Sequence, residues 1–171
     1  GRSAELSSDK VESMLALNVV GLTSLCSLFG RDMAIAGSGR ILNVGSLVGK
    51  YAMPYFASYA ASKSYVLSFS LALRAELKGS GVSVSCVLPG YIRTAFDERA
   101  GIESPAYRSF SERNGMSAQA VARAGLKLLE RNKPYGAAGA RNRFASALSV
   151  LVPRSLMPVM TKPFLDRMLH A

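Results

Sequence analysis

Tyr59 and Lys63 are the two side chains of this sequence best placed to share one chemical task. Residues 57–78 have a helical pattern, and on a helix the side chains at positions i and i+4 lie on the same face. A tyrosine has an ordinary pKa of about 10, and a fixed positive charge nearby lowers that pKa because it favours the phenolate. The spacing therefore predicts an acid–base pair, although it is also typical of a surface pair on an amphipathic helix.

Two further polar segments directly follow apolar runs that are typical of short buried strands. Ser46 follows the run at residues 40–45. A Pro-Gly-Tyr-Ile-Arg-Thr segment at residues 89–94 follows the run at residues 82–88. Open α/β sheets bind ligands at the carboxyl ends of their strands, and Gly90 lets the backbone approach a ligand closely. Both segments are candidates for a binding site, although each is also typical of an ordinary loop.

Asn18 is a polar residue in the apolar stripe of a predicted helix, residues 9–29. The stripe consists of Val11, Met14, Leu15, Leu22, Leu25 and Phe29. A buried amide without hydrogen-bond partners costs about 1–3 kcal/mol, so its presence needs a reason. The position indicates either a functional amide or one that satisfies neighbouring backbone or a local kink.

The apolar pattern supplies alternating helices and strands to position these residues. Helices are predicted at residues 9–29, 57–78 and 117–131, and strands at residues 40–45 and 82–88. Residues 91–116 are predicted to be irregular, and three prolines prevent the tail from being one continuous helix. Short apolar strands between long helices are typical of a parallel α/β sheet with helices on both faces. Two strands are too few for such a sheet, which usually has about 4–6.

Composition excludes several classes of protein. The chain has 171 residues, 49% of them hydrophobic and 19% charged, which is typical of one globular domain. Because the only histidine is His170, next to the last residue, we expect neither a Ser-His-Asp mechanism nor a His-ligated zinc. Cys26 and Cys86 lie in apolar surroundings, which favours a reducing compartment. We expect no membrane span, because no apolar run reaches the roughly 18 residues that one requires.

The net charge of +10 is concentrated near the C-terminus. Residues 131–171 contain seven basic residues and one acidic residue, Asp166, and so contribute +6 of the net charge. Their apolar residues include Phe144, Leu148, Leu151, Met160, Phe164 and Met168. Such a tail is typical of a packed C-terminal helix or oligomer contact, which we favour, or of a helix on an acidic membrane surface. Nucleic acid is not an expected partner, because the aromatic residues do not alternate with the basic ones.

Together, these features resemble the short-chain dehydrogenase/reductase family of the single-domain type. The resemblance covers residues 1 to about 131. It rests on Leu-Asn-Val-Val-Gly at 17–21, Asn-Val-Gly-Ser at 43–46, Tyr-Ala-Ala-Ser-Lys at 59–63 and the segment 89–94. It implies a Rossmann-like doubly wound parallel sheet with helices on both faces. It also implies interconversion of a carbonyl and an alcohol by hydride transfer with NAD(P), with NADP favoured over NAD.

The resemblance also implies a role for each matching residue. Tyr59 is the expected general acid or base, and Ser46 is expected to hold the substrate oxygen. Lys63 is expected to lower the pKa of Tyr59 and to bind the nicotinamide ribose, and Asn18 to hold a proton path through a water. The expected cofactor-binding residues are Tyr59, Lys63, Pro89, Gly90, Ile92 and Thr94, and the expected substrate-binding residues are Ser46, Tyr91 and Phe96. No metal is expected.

The sequence departs from the family pattern at the nucleotide site. A Gly-rich turn should bind pyrophosphate at a helix N-terminus, but the only comparable glycines, Gly37 and Gly39, lie before a strand. The expectation is that this chain is the C-terminal portion of a longer reductase and is inactive as given. The alternatives are a non-catalytic remnant serving as an interaction or membrane-surface module, and a sugar-nucleotide epimerase, which shares Tyr-x-x-x-Lys.

Further expectations concern organisation and partners. Residues 1–131 are predicted to form the catalytic part of the domain, and residues 132–171 a tail that packs on the domain or a partner. The helices at 9–29 and 57–78 are expected to form a homo-oligomer contact, by resemblance. Aromatic residues in the loop 91–116 predict a lipophilic small-molecule substrate. The expected location is cytoplasmic, peripheral at a membrane if the tail binds one.

Overall fold

Helices and strands alternate along the part of the chain that the computed structural model describes, residues 2–102 and 104–170. The strands are β1 (Gly39–Val44), β2 (Val82–Leu88), β3 (Ile92–Arg93), β4 (Met116–Ser117) and β5 (Tyr135–Ala137). The α-helices are α1 (Ser8–Leu15), α2 (Leu22–Ile35), α3 (Ala57–Glu76), α4 (Phe96–Arg99), α5 (Pro105–Asn114), α6 (Ala118–Glu130), α7 (Ala140–Leu148) and α8 (Met157–His170). A π-helical turn, Ala16–Gly21, joins α1 to α2.

Three parallel strands form the main sheet, in the order β1-β2-β5. Ile41 pairs with Val84 between the first two strands, and Val87 pairs with Gly136 between the last two. The predicted parallel α/β architecture and its two strands are therefore confirmed. The third strand lies in the predicted tail, so the sheet continues past residue 131. The division of the chain at that residue stays a prediction.

Helices cover both faces of the sheet because successive strand residues point to opposite sides. On one face, Ile41 and Val84 are buried with Cys26 of α2 and Leu73 of α3. On the other face, Val87 packs against Val121 of α6. The middle strand is thus buried on both sides, which explains why its sequence reads as a nearly continuous apolar run.

A chain of buried polar groups crosses the first of these apolar layers. Asn43 donates to the Ser70 hydroxyl at 2.9 Å and accepts from the Cys26 thiol at 3.4 Å, and Ser70 donates to the Val66 carbonyl at 2.6 Å. Burial raises the pKa of the Cys26 thiol and of the Cys86 thiol. Both thiols are free and neutral groups of the core.

The structure corrects one prediction about the segments around the sheet and confirms another. The predicted irregular stretch 91–116 contains α4, α5 and the pair β3–β4. Pro105 opens α5, and Ser104 caps it by accepting from the Tyr107 backbone N–H at 3.3 Å. The tail is not one continuous helix, as predicted, because α7 and α8 are separated by a segment that contains Pro153, while Pro163 lies inside α8.

The run Ser8–Ile35 is long and apolar enough to cross a membrane by length and composition, so the expectation that no such run exists is wrong. In this structure the run forms part of the helical layer on the sheet. Cys26 is buried against the core, and the Thr23 hydroxyl lies 2.9 Å from the Tyr65 hydroxyl of α3.

We expect Leu88→Ala to lower the free energy of unfolding by about 2–5 kcal/mol, because Leu88 is 0% exposed and its removal leaves a cavity. Leu126→Ala is the matched control, since Leu126 is 53% exposed. Urea denaturation of both variants measures the difference. Equal stabilities for the two variants would contradict the assignment of β2 to the core.

Candidate active site

Ser46 lies directly beyond the carboxyl end of β1, where two main-chain hydrogen bonds fix its position. The Gly45 N–H donates to the Val87 carbonyl, and the Leu47 N–H donates to the Pro89 carbonyl, both at 2.9 Å. The buried Ser46 side chain accepts from the Val48 N–H at 3.4 Å and so caps a short 3₁₀ turn, Leu47–Lys50. The structure thus places Ser46 beside the start of the segment 89–94.

The 3₁₀ turn after Ser46 packs directly against the backbone of α3. A Cβ atom at Gly49 would lie 2.6 Å from the carbonyl carbon and oxygen of Lys63, closer than atoms pack. Only glycine therefore permits this approach. The contact holds the turn that carries Ser46 against the helix that carries Tyr59 and Lys63.

Tyr59 is half-buried, and its phenol lies beside the Ser46 side chain. Burial raises the pKa of Tyr59 above its ordinary value, and the interaction with the Ser46 side chain offsets part of that rise. The expectation of a lowered pKa for Tyr59 is therefore wrong for this chain. The phenol keeps its proton at neutral pH, and it is a proton donor in this state.

Lys63 lies behind Tyr59 on the same face of α3. Its ammonium nitrogen is 5.8 Å from the centroid of the Tyr59 ring and donates to the Val44 carbonyl at 3.1 Å. Burial lowers the pKa of Lys63, because the charged ammonium loses part of its hydration. Within the described residues no carboxylate forms an ion pair with this ammonium.

Asn18 lies within the π-helical turn Ala16–Gly21, and such turns are frequent at functional sites. Its amide Nδ2 donates to the Ser62 hydroxyl at 3.2 Å, and Ser62 donates to the Tyr59 carbonyl at 2.8 Å. The amide is therefore partnered, and the helix is irregular at this residue. Both features join Asn18 to the turn of α3 that presents the phenol.

The segment 89–94 is only partly directed at this site. Pro89 is buried, and a Cβ atom at Gly90 would lie 2.8 Å from the Asn142 side-chain oxygen, so the close approach at this glycine is made by α7. Ile92 belongs to β3, and the Thr94 hydroxyl accepts from the Phe96 N–H at 3.3 Å. Cofactor contacts by these residues stay predictions.

The two aromatic residues predicted to touch substrate separate in the structure. The Phe96 ring is 44% exposed and its centroid lies 5.5 Å from that of Tyr59. The Tyr91 ring packs among Tyr107 and Phe110, with centroid distances of 5.8 and 5.1 Å. Phe96 is therefore the residue that the structure brings to the phenol, and Tyr91 belongs to the packing of the loop.

Three groups that contact the candidate site residues were not predicted from the sequence. They are Ser62, Gly49 and the carbonyl of Val44. Ser62 had a weak signal, because it lies three residues after Tyr59 on a helix and can reach the carbonyl of that residue. Nothing in the spacing of Gly49 or Val44 predicted their contacts with Lys63, which depend on how the strand end meets α3.

The sequence matches one protein family over more than half of its length. A family model described as short chain dehydrogenase matches residues 1–104. The chain belongs to the short-chain dehydrogenase family. The expected family is confirmed, and the match includes Asn18, Ser46, Tyr59 and Lys63 within its range.

Individual members of the short-chain dehydrogenase family are similar over more than half of the chain. The dehydrogenase/reductase SDR family protein 7-like of Drosophila melanogaster is 36% identical over 71% of this chain, and the ketoacyl reductase HetN of Nostoc sp. is 34% identical over 61%. The structure of a short-chain dehydrogenase from Sphingobium yanoikuyae in complex with NADPH is 29% identical over 88% of this chain, with a TM-score of 0.72. The Rossmann-like doubly wound fold is thereby confirmed.

This chain corresponds to only part of each relative. It spans 38% of the Drosophila protein, 40% of HetN and 56% of the Sphingobium chain. The sequence contains no Gly-x-x-x-Gly-x-Gly motif.

Two concave surfaces are present on the described residues. One, of about 180 Å³, is lined by Arg93, Thr94, Glu98, Arg108, Ser111 and Glu112. Another, of about 260 Å³, is lined by Gly49, Lys50, Ser64, Leu67, Ser68, Leu71 and Arg154. Neither includes Ser46 or Tyr59. The described residues also hold no cluster of His, Cys, Asp and Glu that could bind a metal ion.

We expect Tyr59 to remain a phenol at pH 10, where a free tyrosine is about half ionised, because burial raises its pKa. The measurement is the chemical shift of its Cζ carbon in ¹³C-tyrosine-labelled protein, assigned with Tyr59→Phe. Ser46→Ala should move the ionisation to still higher pH, since it removes the side chain whose interaction lowers this pKa. A phenolate shift at pH 9 in the unmodified chain would contradict this assignment.

Proposed function

We propose that this chain carries the catalytic residues of an NAD(P)-dependent oxidoreductase that interconverts a carbonyl and an alcohol, with Tyr59 as general acid or base. The observation that carries the proposal is the placement of Ser46 beside Tyr59 at the carboxyl edge of the sheet, with Lys63 on the same helix face as Tyr59. Family membership supports the general class of reaction.

In the reducing direction the neutral Tyr59 phenol donates its proton to the carbonyl oxygen of the substrate. Ser46 donates a hydrogen bond to the same oxygen and stabilises the negative charge that develops there. The positive charge of Lys63 stabilises the phenolate that remains after the proton has left. In the oxidising direction the phenolate accepts the proton of the alcohol. The nicotinamide group, when bound, supplies or accepts the hydride.

The surroundings of Lys63 fit the ribose of a nicotinamide cofactor. Its ammonium has three N–H groups and uses one for the Val44 carbonyl, which leaves two donors for hydroxyl oxygens. A half-buried ammonium without a carboxylate partner is stabilised by polar oxygen ligands. Lys63 and Tyr59 would hold the ribose, with residues 89–94 beside the nicotinamide. The NADPH of the Sphingobium relative supports the choice of NADP over NAD.

The proposed substrate is a lipophilic ketone or alcohol. Phe96 presents an exposed ring beside Tyr59, and a carbonyl held by Ser46 would place its apolar substituent against that ring. The name of the ketoacyl reductase from Nostoc supports a carbonyl on an apolar chain.

The proposal extends to association and location. Two copies would meet through α1–α2 and α3, where exposed apolar side chains include Leu17, Val20, Leu28, Tyr65 and Leu71. Burying these side chains between copies removes apolar surface from water. The proposed location is the cytoplasm, because both cysteines are free and buried.

We expect the chain as given to bind NADPH and NADH no more tightly than the millimolar range, because its sequence holds no Gly-rich turn for the pyrophosphate. A protein in which a Gly-rich nucleotide-binding segment precedes this chain should bind NADPH in the micromolar range. Titration of cofactor fluorescence measures both. Tight, saturable binding to the chain alone would show that another part of this sequence completes the site.

We expect Tyr59→Phe, in that longer protein, to lower carbonyl reduction about 10²–10⁴-fold, because the proton donor is lost. The Kd for NADPH should change little, since Lys63 remains. Tyr135→Phe is the matched control, because Tyr135 is an exposed residue of β5 far from the phenol in the sequence. Wild-type rates in Tyr59→Phe would refute the assigned role, and activity absent from every version would favour a non-catalytic module.

A further inference from the structure

We propose that the C-terminal segment, residues 140–170, docks on an anionic bilayer surface through its exposed apolar side chains. Eight of these side chains are 47–78% exposed, and we refer to them together as the tail surface. They are Phe144, Leu148, Val150, Leu151, Leu156, Val159, Met160 and Phe164. Single exposed apolar residues are ordinary, whereas eight within 21 consecutive residues mark an interaction surface.

The helix α8 separates its apolar residues into a buried and an exposed set. On the inner side, Leu165 and Met168 are buried, and Met168 packs with Ile102 and Tyr107. On the outer side, Val159 and Met160 are separated from Leu156 by three and four residues, which places them on one face. These contacts hold the helix on the domain together with the Phe164 ring, whose centroid lies 5.5 Å from that of the Phe110 ring. The exposed Leu156, Val159 and Met160 do not serve that packing.

The preceding helix α7 repeats this arrangement. Phe144, Leu148 and Leu151 follow one another at intervals of four and three residues and are exposed. On the inner side, the Lys50 ammonium donates to the Ser146 carbonyl at 2.7 Å and to its hydroxyl at 2.8 Å. The apolar side chains are therefore presented by anchored helices, and little ordering is needed when they meet a partner.

The positive charge of residues 140–170 favours an anionic partner. Asp166 is the one acidic residue in the sequence of this segment. Its carboxylate accepts hydrogen bonds from Tyr55 and from Lys162, the latter at 2.8 Å. The exposed Arg143, Arg154 and Arg167 flank the apolar residues along the chain. Basic side chains beside an exposed apolar face match the headgroups and the acyl boundary of an anionic bilayer.

Other partners match the tail surface less well. A second copy that met this surface about a two-fold axis would bring two strongly positive segments together, which repel each other. Nucleic acid would satisfy the arginines and leave the eight apolar side chains in water. An anionic bilayer satisfies both sets at once, and we therefore assign it as the occupant.

The experiment is co-sedimentation of the chain as given with vesicles, without nucleotide or carbonyl substrate, so that its outcome is independent of the proposed function. Vesicles of phosphatidylcholine with 30% phosphatidylserine should bind at least tenfold more chain than vesicles of phosphatidylcholine alone. Salt at 0.5 M should weaken this binding, because it screens the arginines. Equal binding to both vesicles, or to neither, would overturn the proposal.

Paired variants locate the contact. The double variant Leu151→Ser and Val159→Ser should bind vesicles at least tenfold more weakly. The double variant Arg143→Gln and Arg154→Gln should bind about 25-fold more weakly, because each lost charge weakens binding about fivefold. The matched control is Leu126→Ser, an exposed apolar residue of α6 that lies outside both the tail surface and the proposed contact between copies, and it should bind like wild type. An equal loss in the control would overturn the assignment of the tail surface.

A second measurement does not depend on the folding of those variants. Leu151→Cys carries an environment-sensitive fluorophore, while Cys26 and Cys86 are buried and react slowly. We expect a blue shift on the phosphatidylserine vesicles and none on phosphatidylcholine. A blue shift that instead rises with protein concentration, in the absence of vesicles, would identify a second copy as the occupant and overturn the proposal.

Discussion

The pairing of β1 with β2 positions the candidate active site, because the backbone hydrogen bonds between the two strands continue beyond their carboxyl ends. The Gly45 N–H bonds the Val87 carbonyl and the Leu47 N–H bonds the Pro89 carbonyl, so that Ser46 is held between two links of the same ladder. A serine in a free loop would sample many positions. Here the ladder fixes its main chain, and the glycine contact at Gly49 fixes the turn against α3.

Burial gives the site its electrostatic character. It raises the pKa of Tyr59 and lowers the pKa of Lys63, so the protein environment disfavours the charged form of each residue. The two shifts have one cause, loss of hydration, and polar ligands that replace the lost water would oppose both. Tyr59 is therefore a neutral phenol beside the Lys63 ammonium, with which no carboxylate of the described residues forms an ion pair.

The sequence was sufficient for features that depend on local pattern and insufficient for those that depend on packing. Both predicted strands and the helix 57–78 are found, because their apolar periodicity decides them. The strand β5 was missed, since three residues in a basic tail show no pattern of their own. The pKa of Tyr59 was predicted in the wrong direction, because the sequence shows the lysine nearby and does not show the depth of burial.

The π-helical turn around Asn18 has a consequence for how this helix tolerates insertions and deletions. A π turn holds one residue more than the α-helical turn that it replaces. Deleting one residue between Ala16 and Gly21 would convert the π turn into an α turn, and the helices on either side would keep their orientation, because the π turn already accommodates the extra residue. A single-codon deletion here would therefore leave a longer regular helix with both halves against their present neighbours, whereas a deletion within α1 or α2 would rotate one half by about 100°.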